Sequence, residues 1–220
     1  MLTICTWLWG EKYGREYVDR LFAGVKRHLN QPCRFLLARP DLDGPDAELI
    51  KAPGCFVRLR MFDPAWQKSM GVKDRLACLD LDAIITGPLD TLFDRPEPFL
   101  ILQGANAANP CPYNGSLMML RAGAHPEAWS DFTLAAAGHV PFYEFPDDQG
   151  WLAHKIPNAA GWNAGRESGV YAFEKPGWPP GKGNALPWGA RMVCFPGWRD
   201  PSKFAHLDWV QEHWLQGAVA

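Results

Sequence analysis

The sequence predicts an α/β fold with a mixed, mostly parallel sheet flanked by helices. Three observations carry this reading. Residues 2–61 run strand, helix, strand with short connections, the pattern of parallel pairing. The chain has 220 residues, and a protein of that size buries roughly 70–75% of its unfolded surface, enough for one core without metal or disulfide staples. Its composition, 47% hydrophobic and 21% charged, is that of an ordinary folded domain. A single domain over 1–220 is expected. It has a loop-rich part from about residue 157, where many of the 20 Pro and 21 Gly concentrate.

The elements follow in order. Residues 2–8 are a short apolar run and read as a buried strand. After the turn WGEKYG, the residues Val18, Leu21, Phe22, Val25 and Leu29 recur at helical spacing, and Asn30 and Pro32 stop that helix. CRFLLA (33–38) reads as a second strand and CFVRLRM (55–61) as a third. A short helix is expected around PAWQKSMG. Strands are expected in RLACLDLDAIITG (75–87), FLILQG (99–104) and GSLMMLRAG (115–123). HPEAWSDFTLAAAG reads as one helix begun by Pro126 and ended by Gly138. DDQGWLAHK reads as another, with Asp147 or Asp148 near its start. VYAFE and ARMVCF are strands among loops, Gly181-Lys182-Gly183 is loop, and LDWVQEHWLQ is the last helix.

Composition narrows the function classes. A formal net charge of −2 lacks the basic excess of a general nucleic-acid binder. No run of about 18 apolar residues exists, so no membrane-spanning helix is expected. The first residues lack a basic leader and a small-residue cleavage site, so they read as a strand and not a signal peptide. Six Cys are scattered singly without a CxxC pair. They fit small buried side chains in a reducing cytoplasm, not a zinc site. Eleven Trp imply large flat contact surfaces, in the core or against a ring-shaped ligand.

The chemistry centres on LDLDA. In extended backbone Asp80 and Asp82 share one face, and Leu79 and Leu81 point to the other, into the core. Two carboxylates near a strand end can hold a hard divalent cation and leave positions open for water and substrate phosphates. With 15 Asp in the chain, about one Asp-x-Asp is expected by chance, and Asp41-Leu42-Asp43 is a second. Context separates the two. Asp41 precedes Gly44-Pro45, a solvated turn. Asp80 and Asp82 are flanked by Leu76-Ala77-Cys78-Leu79 and Ala83-Ile84-Ile85, where a carboxylate is costly unless paired or metal-bound.

Read as one unit, LDLDAIITGPLDTLF resembles the GT-A nucleotide-sugar glycosyltransferases, closest to family eight and its bacterial relatives. The shared features are Asp80, Asp82, Gly87 and the turn Leu89-Asp90-Thr91-Leu92-Phe93. Further segments match in order: TICTW with Tyr13, AWQK with Lys68, Asn114-Gly115-Ser116, Asp148-Gln149, and the closing VCFPGWRDP. The resemblance spans about residues 1–205 and implies a Rossmann-like GT-A domain. It implies a metal-dependent, hexosyltransferase-like enzyme, retaining rather than inverting. The donor would be a UDP-sugar with Mn²⁺ or Mg²⁺ held by Asp80 and Asp82.

The resemblance also assigns roles. Thr6, Trp7 and Tyr13 lie where the nucleotide binds, and Asn114 lies beside the donor sugar. Lys68, Arg199 and Lys203 would be the cations facing the diphosphate. Asp148 and Gln149 would orient sugar or acceptor. The sequence departs from the pattern in the closing loop, where Cys194 stands in place of a metal-binding His, and at Gly150, in place of a second acid. Thiolate suits Mn²⁺ poorly, so the metal would rest on the two Asp, phosphate and water, with His206 a possible addition from downstream. The acceptor stays open: a glycan, a small molecule, a protein or a modified nucleic acid. Two other readings stand beside this one. One is a non-catalytic nucleotide-sugar or glycan-binding member. The other is a phosphohydrolase with Asp80 as nucleophile and Asp82 as acid, which would normally carry its D-x-D on the first strand.

Overall fold

In the computed structural model, which describes residues 1–105, 110–142, 146–181 and 183–215, the run Leu2–Trp7 forms β1 and is buried along its whole length. Helix α1 (Arg15–His28) follows. It buries Val18, Leu21 and Val25 on one face and carries Lys26 and Arg27 in its last turn, where cations suit the helix dipole. The chain continues through β2 (Cys33–Ala38), α2 (Ala47–Lys51), a 3₁₀ helix Phe56–Phe62, α3 (Pro64–Ser69), β3 (Arg75–Leu79), β4 (Ile84–Ile85), α4 (Asp90–Phe93) and β5 (Phe99–Gln103). Next come β6 (Tyr113–Arg121), α5 (Glu127–Ser130), α6 (Leu134–Ala137), α7 (Asp148–Lys155), β7 (Ala160–Asn163), β8 (Val170–Ala172), β9 (Met192–Cys194) and α8 (Asp208–Val210).

The main sheet has the order β2-β1-β3-β6-β5-β7. β1 pairs in parallel with β2 and β3, and β5 with β7. β6 runs antiparallel to both of its neighbours. The expected mixed, mostly parallel sheet is therefore present, with one reversed strand. A small second sheet, β4-β9-β8, packs beside it. Alternation along β3 divides the core. Leu76 and Cys78 join Trp7, Phe62, Ile101, Met118 and Trp151 on one face. Ala77 and Leu79 join Ile4, Leu21, Val25, Leu100 and Met119 on the other. A third cluster, with Tyr17, Ile84, Phe173, Phe195, Trp209 and Trp214, ties α1 to the small sheet and the C-terminal segment.

Several expected elements differ. CFVRLRM is not a strand: its amides bond locally, Arg58 N to Cys55 O at 3.1 Å and Asp63 N to Arg60 O at 3.0 Å. Its period-two pattern imitates a strand, yet Phe56, Val57, Arg58, Leu59, Met61 and Phe62 are all buried, the apolar ones in the same core cluster as Trp7, Cys78 and Met118. The place beside β1 belongs to β3. The run 75–87 splits into β3 and β4, which lie in different sheets, and Asp80 and Asp82 sit in the turn between them, not in extended backbone. The helix expected over 125–138 is two, because Thr133 accepts a bond from Ala136 N and caps a second start. The last helix becomes α8 plus a wider turn Gln211–Leu215. β7 was not expected at all. Lys182 lies outside the described residues. No helix of the described residues is long and apolar enough to cross a membrane.

β7 is short and closes the sheet edge through close backbone approach. A Cβ on Gly161 would stand 2.3 Å from the Ile101 carbonyl oxygen on β5. Gly161→Ala should therefore force the strands apart and destabilise the protein by about 1–3 kcal/mol. A thermal melt matching the wild type would show that β7 tolerates the shift.

Candidate active site

The carboxyl ends of β1 and β3 open into a cleft of about 360 Å³. In open α/β sheets this is the edge where ligands bind. The reversed strand β6 starts there as well: Leu79 pairs with Leu117, and Asp80 N donates to Ser116 O at 3.1 Å. Asn114-Gly115-Ser116 is thereby delivered beside Asp80. Asn114 accepts a 3.0 Å bond from Ser116 N, which fixes the strand entry. The N-terminus of α7, the 3₁₀ helix and the segment Phe195–Gly197 after β9 complete the walls.

At the centre is a cation that sequence reasoning missed. Arg58 is 7% exposed and donates to Asp148 Oδ2 (Nε at 2.8 Å, Nη2 at 2.6 Å), to Gly115 O at 3.0 Å and to Asp80 Oδ1. Asp148, 1% exposed, is pushed up by burial against the pull of Arg58. Arg58 stays charged, held well above its ordinary range by Asp148 and Asp80. A Cβ at Gly115 would stand 2.1 Å from Arg58 Nη2 and push the guanidinium off its partners. The signal was available: Arg58 interrupts an apolar run just as Asp80 does, and the same cost of burying a charge applies.

The second acid has its own partner. Tyr13 donates to Asp82 Oδ2 at 2.6 Å. Burial and the neighbouring Asp80 raise the Asp82 carboxyl to about 7. The Tyr13 hydroxyl is raised as well, by burial and then by Asp82. On α7, Asp147 is the N-cap, accepting from Gly150 N at 2.7 Å, and Asp148 turns inwards to Arg58; both line the cleft. Gln149 bridges Gly115 N (2.8 Å) and Asp147 Oδ2 (2.6 Å). Thr6 donates to Leu79 O at 2.8 Å and stitches the ends of β1 and β3 together. Trp7 stacks on Trp66, centroids 5.3 Å apart, and its Nε1 has no hydrogen-bond partner among the described residues.

Thr6, Trp7, Tyr13, Asp80, Asp82, Asn114, Asp148 and Gln149 thus meet at one cleft. Lys68 does not join them: it is exposed on α3, away from the lining. Arg199 pairs with Glu174 at 3.3 Å, and Lys203 donates to Trp198 O at 2.7 Å; neither lines the cleft. His206 is exposed outside it. Cys194 is buried with its thiol raised well above its ordinary value, chiefly by desolvation, and does not line the cleft. Among the described residues no group of three or more His, Cys, Asp and Glu side chains is placed to hold a metal ion. Asp80 and Asp82 supply two hard oxygen donors whose mutual repulsion a cation would relieve. That set fits Mg²⁺ or Mn²⁺ completed by water and ligand oxygens.

No family model matches the sequence, and neither does any curated protein. The structure is similar to those of solved glycosyltransferases. One involved in glycosylation of the major capsid of PBCV-1 aligns over 93% of this chain and 97% of its own, with a TM-score of 0.58 and 15% identity. The galactosyltransferase LgtC, solved with donor and acceptor sugar analogues, aligns over 99% and 95%, with a TM-score of 0.62 and 11% identity. GlyE of Streptococcus pneumoniae TIGR4 aligns over 99% of this chain, with a TM-score of 0.56 and 13% identity; the chain spans 64% of GlyE. At such identities the likeness establishes the fold, the expected GT-A architecture.

Two outcomes follow from the buried charges. Arg58→Met leaves Asp148 buried and unpaired, so it should destabilise by about 3–5 kcal/mol in urea unfolding. Adding Asp148→Asn should recover part of that loss; no recovery would mean Arg58 acts through packing alone. The Asp82 carboxyl binds its proton more tightly in the folded state (about 7) than at its ordinary 3.8. Its stabilising contribution is thus full below about pH 4 and is lost as pH rises towards 7. Metal-free melting temperatures between pH 4 and 8 should show this decline, and Asp82→Asn should flatten it.

Proposed function

We propose that the chain is a glycosyltransferase that moves a sugar from a nucleoside-diphosphate donor, in the first place a UDP-sugar, to an acceptor hydroxyl. The observation that carries this reading is the acid pair Asp80/Asp82 at the carboxyl edge of a GT-A sheet, facing Arg58, Asp148 and the Asn114-Gly115 strand start across one cleft. Asp80 and Asp82 would hold Mg²⁺ or Mn²⁺, which when bound supplies positive charge to the departing diphosphate. Tyr13 fixes Asp82 by its hydroxyl. Trp7 and Tyr13, at the end of β1, flank the place of the base. Asn114 and Gln149 offer amide groups to sugar hydroxyls, and Asp148 acts as a positioning residue by holding Arg58.

In the reaction the bond between the anomeric carbon and the diphosphate oxygen breaks, and a bond to the acceptor oxygen forms. An inverting course needs a carboxylate free to take the acceptor proton from the opposite face. Among the described residues, every carboxylate lining the cleft already accepts from a neighbour: Asp80 from Arg58, Asp82 from Tyr13, Asp147 from Gly150 and Gln149, Asp148 from Arg58. A retaining course, in line with the family resemblance, would pass the acceptor proton to the departing phosphate oxygen. Phe195–Gly197, at the cleft wall, would exclude water from the reacting bond.

Calorimetry with UDP-sugars tests the reading. Binding should require Mn²⁺, and Asp82→Ala should weaken it at least tenfold, roughly the least that disturbing a metal site costs. Cys194→Ser should leave it unchanged. Equal affinity in EDTA and in Asp82→Ala would exclude the metal-assisted mechanism. Release of phosphate from simple monoesters, without nucleotide-sugar binding, would favour the phosphohydrolase instead.

A further inference from the structure

Lys12 lies in the loop between β1 and α1 and lines the cleft. Its ammonium stands 4.5 Å from the centroid of the Tyr13 ring, the ring whose hydroxyl holds Asp82. Its charge offsets part of the rise of the Asp82 carboxyl and adds to the lowering of Asp200, so its field reaches into the site. Among the described residues, Lys12 and Arg58 are the cations of the lining, and they differ in availability. Arg58 is enclosed by Asp80, Asp148 and the Gly115 carbonyl. Lys12 is exposed, and among the described residues no hydrogen bond or salt bridge engages it. The cation–π contact fixes the place of its ammonium and leaves its N–H donors free for a ligand.

The charges of the cleft define what those donors would meet. Asp80, Asp82, Asp147 and Asp148 set four carboxylates against these two cations. A divalent ion on the acid pair would balance them, but a diphosphate then brings fresh negative charge. The basic residues of the closing loop are engaged elsewhere, Arg199 with Glu174 and Lys203 with the Trp198 carbonyl. Among the described residues, the unengaged cation at the cleft comes from the first loop.

We propose that Lys12 binds the donor's diphosphate and holds the nucleoside diphosphate as it departs, taking the part that closing-loop cations would otherwise play. The proposal rests on the glycosyltransferase reading. Its chemistry is narrow: the ammonium donates to phosphate oxygens, not to base or ribose. Affinity for a nucleoside diphosphate therefore depends on Lys12, and affinity for the bare nucleoside does not.

The test is calorimetric titration, with Mn²⁺ present, of UDP, GDP, ADP, CDP and dTDP into the wild type. The tightest binder and its nucleoside are then titrated into Lys12→Met and Lys12→Arg. Lys12→Met keeps the apolar stem over Tyr13 and removes only the charge. It should weaken the diphosphate about 10- to 100-fold and change the nucleoside less than about twofold. Lys12→Arg should restore most of the affinity, and the salt dependence of diphosphate binding should be shallower in Lys12→Met. Wild-type binding with an unchanged Lys12→Met would overturn the proposal and leave the glycosyltransferase reading standing. An equal loss for nucleoside and diphosphate would also overturn it, since Lys12 would then act by packing on Tyr13. If the wild type binds none of the five diphosphates, the reading beneath the proposal fails with it.

Discussion

A guanidinium buried between carboxylates holds the cleft of this protein together. Arg58 joins four segments that are far apart in sequence: its own 3₁₀ helix, the end of β3 through Asp80, the start of β6 through Gly115 O, and α7 through Asp148. Taking these charges from water costs several kcal/mol per ion, and only complete pairing offsets that. The arrangement tolerates no loose partner. That is why a glycine occupies position 115, why Asp147 caps α7 so that Asp148 faces inwards, and why Gln149 reaches across to the Gly115 amide.

The reversed strand makes this convergence possible. An all-parallel sheet would send the start of β6 to the opposite edge. Because β6 runs against β3 and β5, its first residues arrive beside the last residues of β3. The cleft therefore draws on both ends of strands while staying at the carboxyl edge of the parallel ones. It is also rich in acids. Burial and like charge together push the Asp82 carboxyl up, the electrostatic state of a site that gains from binding a cation.

Charge also explains which cations belong to the site. A cation on the surface serves a ligand only when its own partners leave it free. Arg199 pairs with Glu174, in the segment after β8, and Lys203 with the Trp198 carbonyl in its own loop. Lys68 is turned to solvent on α3, whose buried Trp66 instead stacks on Trp7. Lys12, lodged against the Tyr13 ring and in no hydrogen bond or salt bridge among the described residues, is left facing the cleft.

The sequence by itself determined the alternation of strands and helices, the stopping points of α1, the acid pair and its neighbourhood. These are written in local periodicity and in the cost of placing a carboxylate among Leu, Cys and Ile. It also pointed to Tyr13, Asn114, Asp148 and Gln149. It misjudged 55–61, because FVRLRM has a strand's alternation and nothing local reveals that β3 occupies the place beside β1. It did not reveal β7, a four-residue edge strand whose pairing depends on a glycine's close approach to β5. It named the wrong set of nearby cations for the same reason. Whether an Arg or a Lys is free, buried or engaged depends on partners tens of residues away, and only the tertiary structure decides who those partners are.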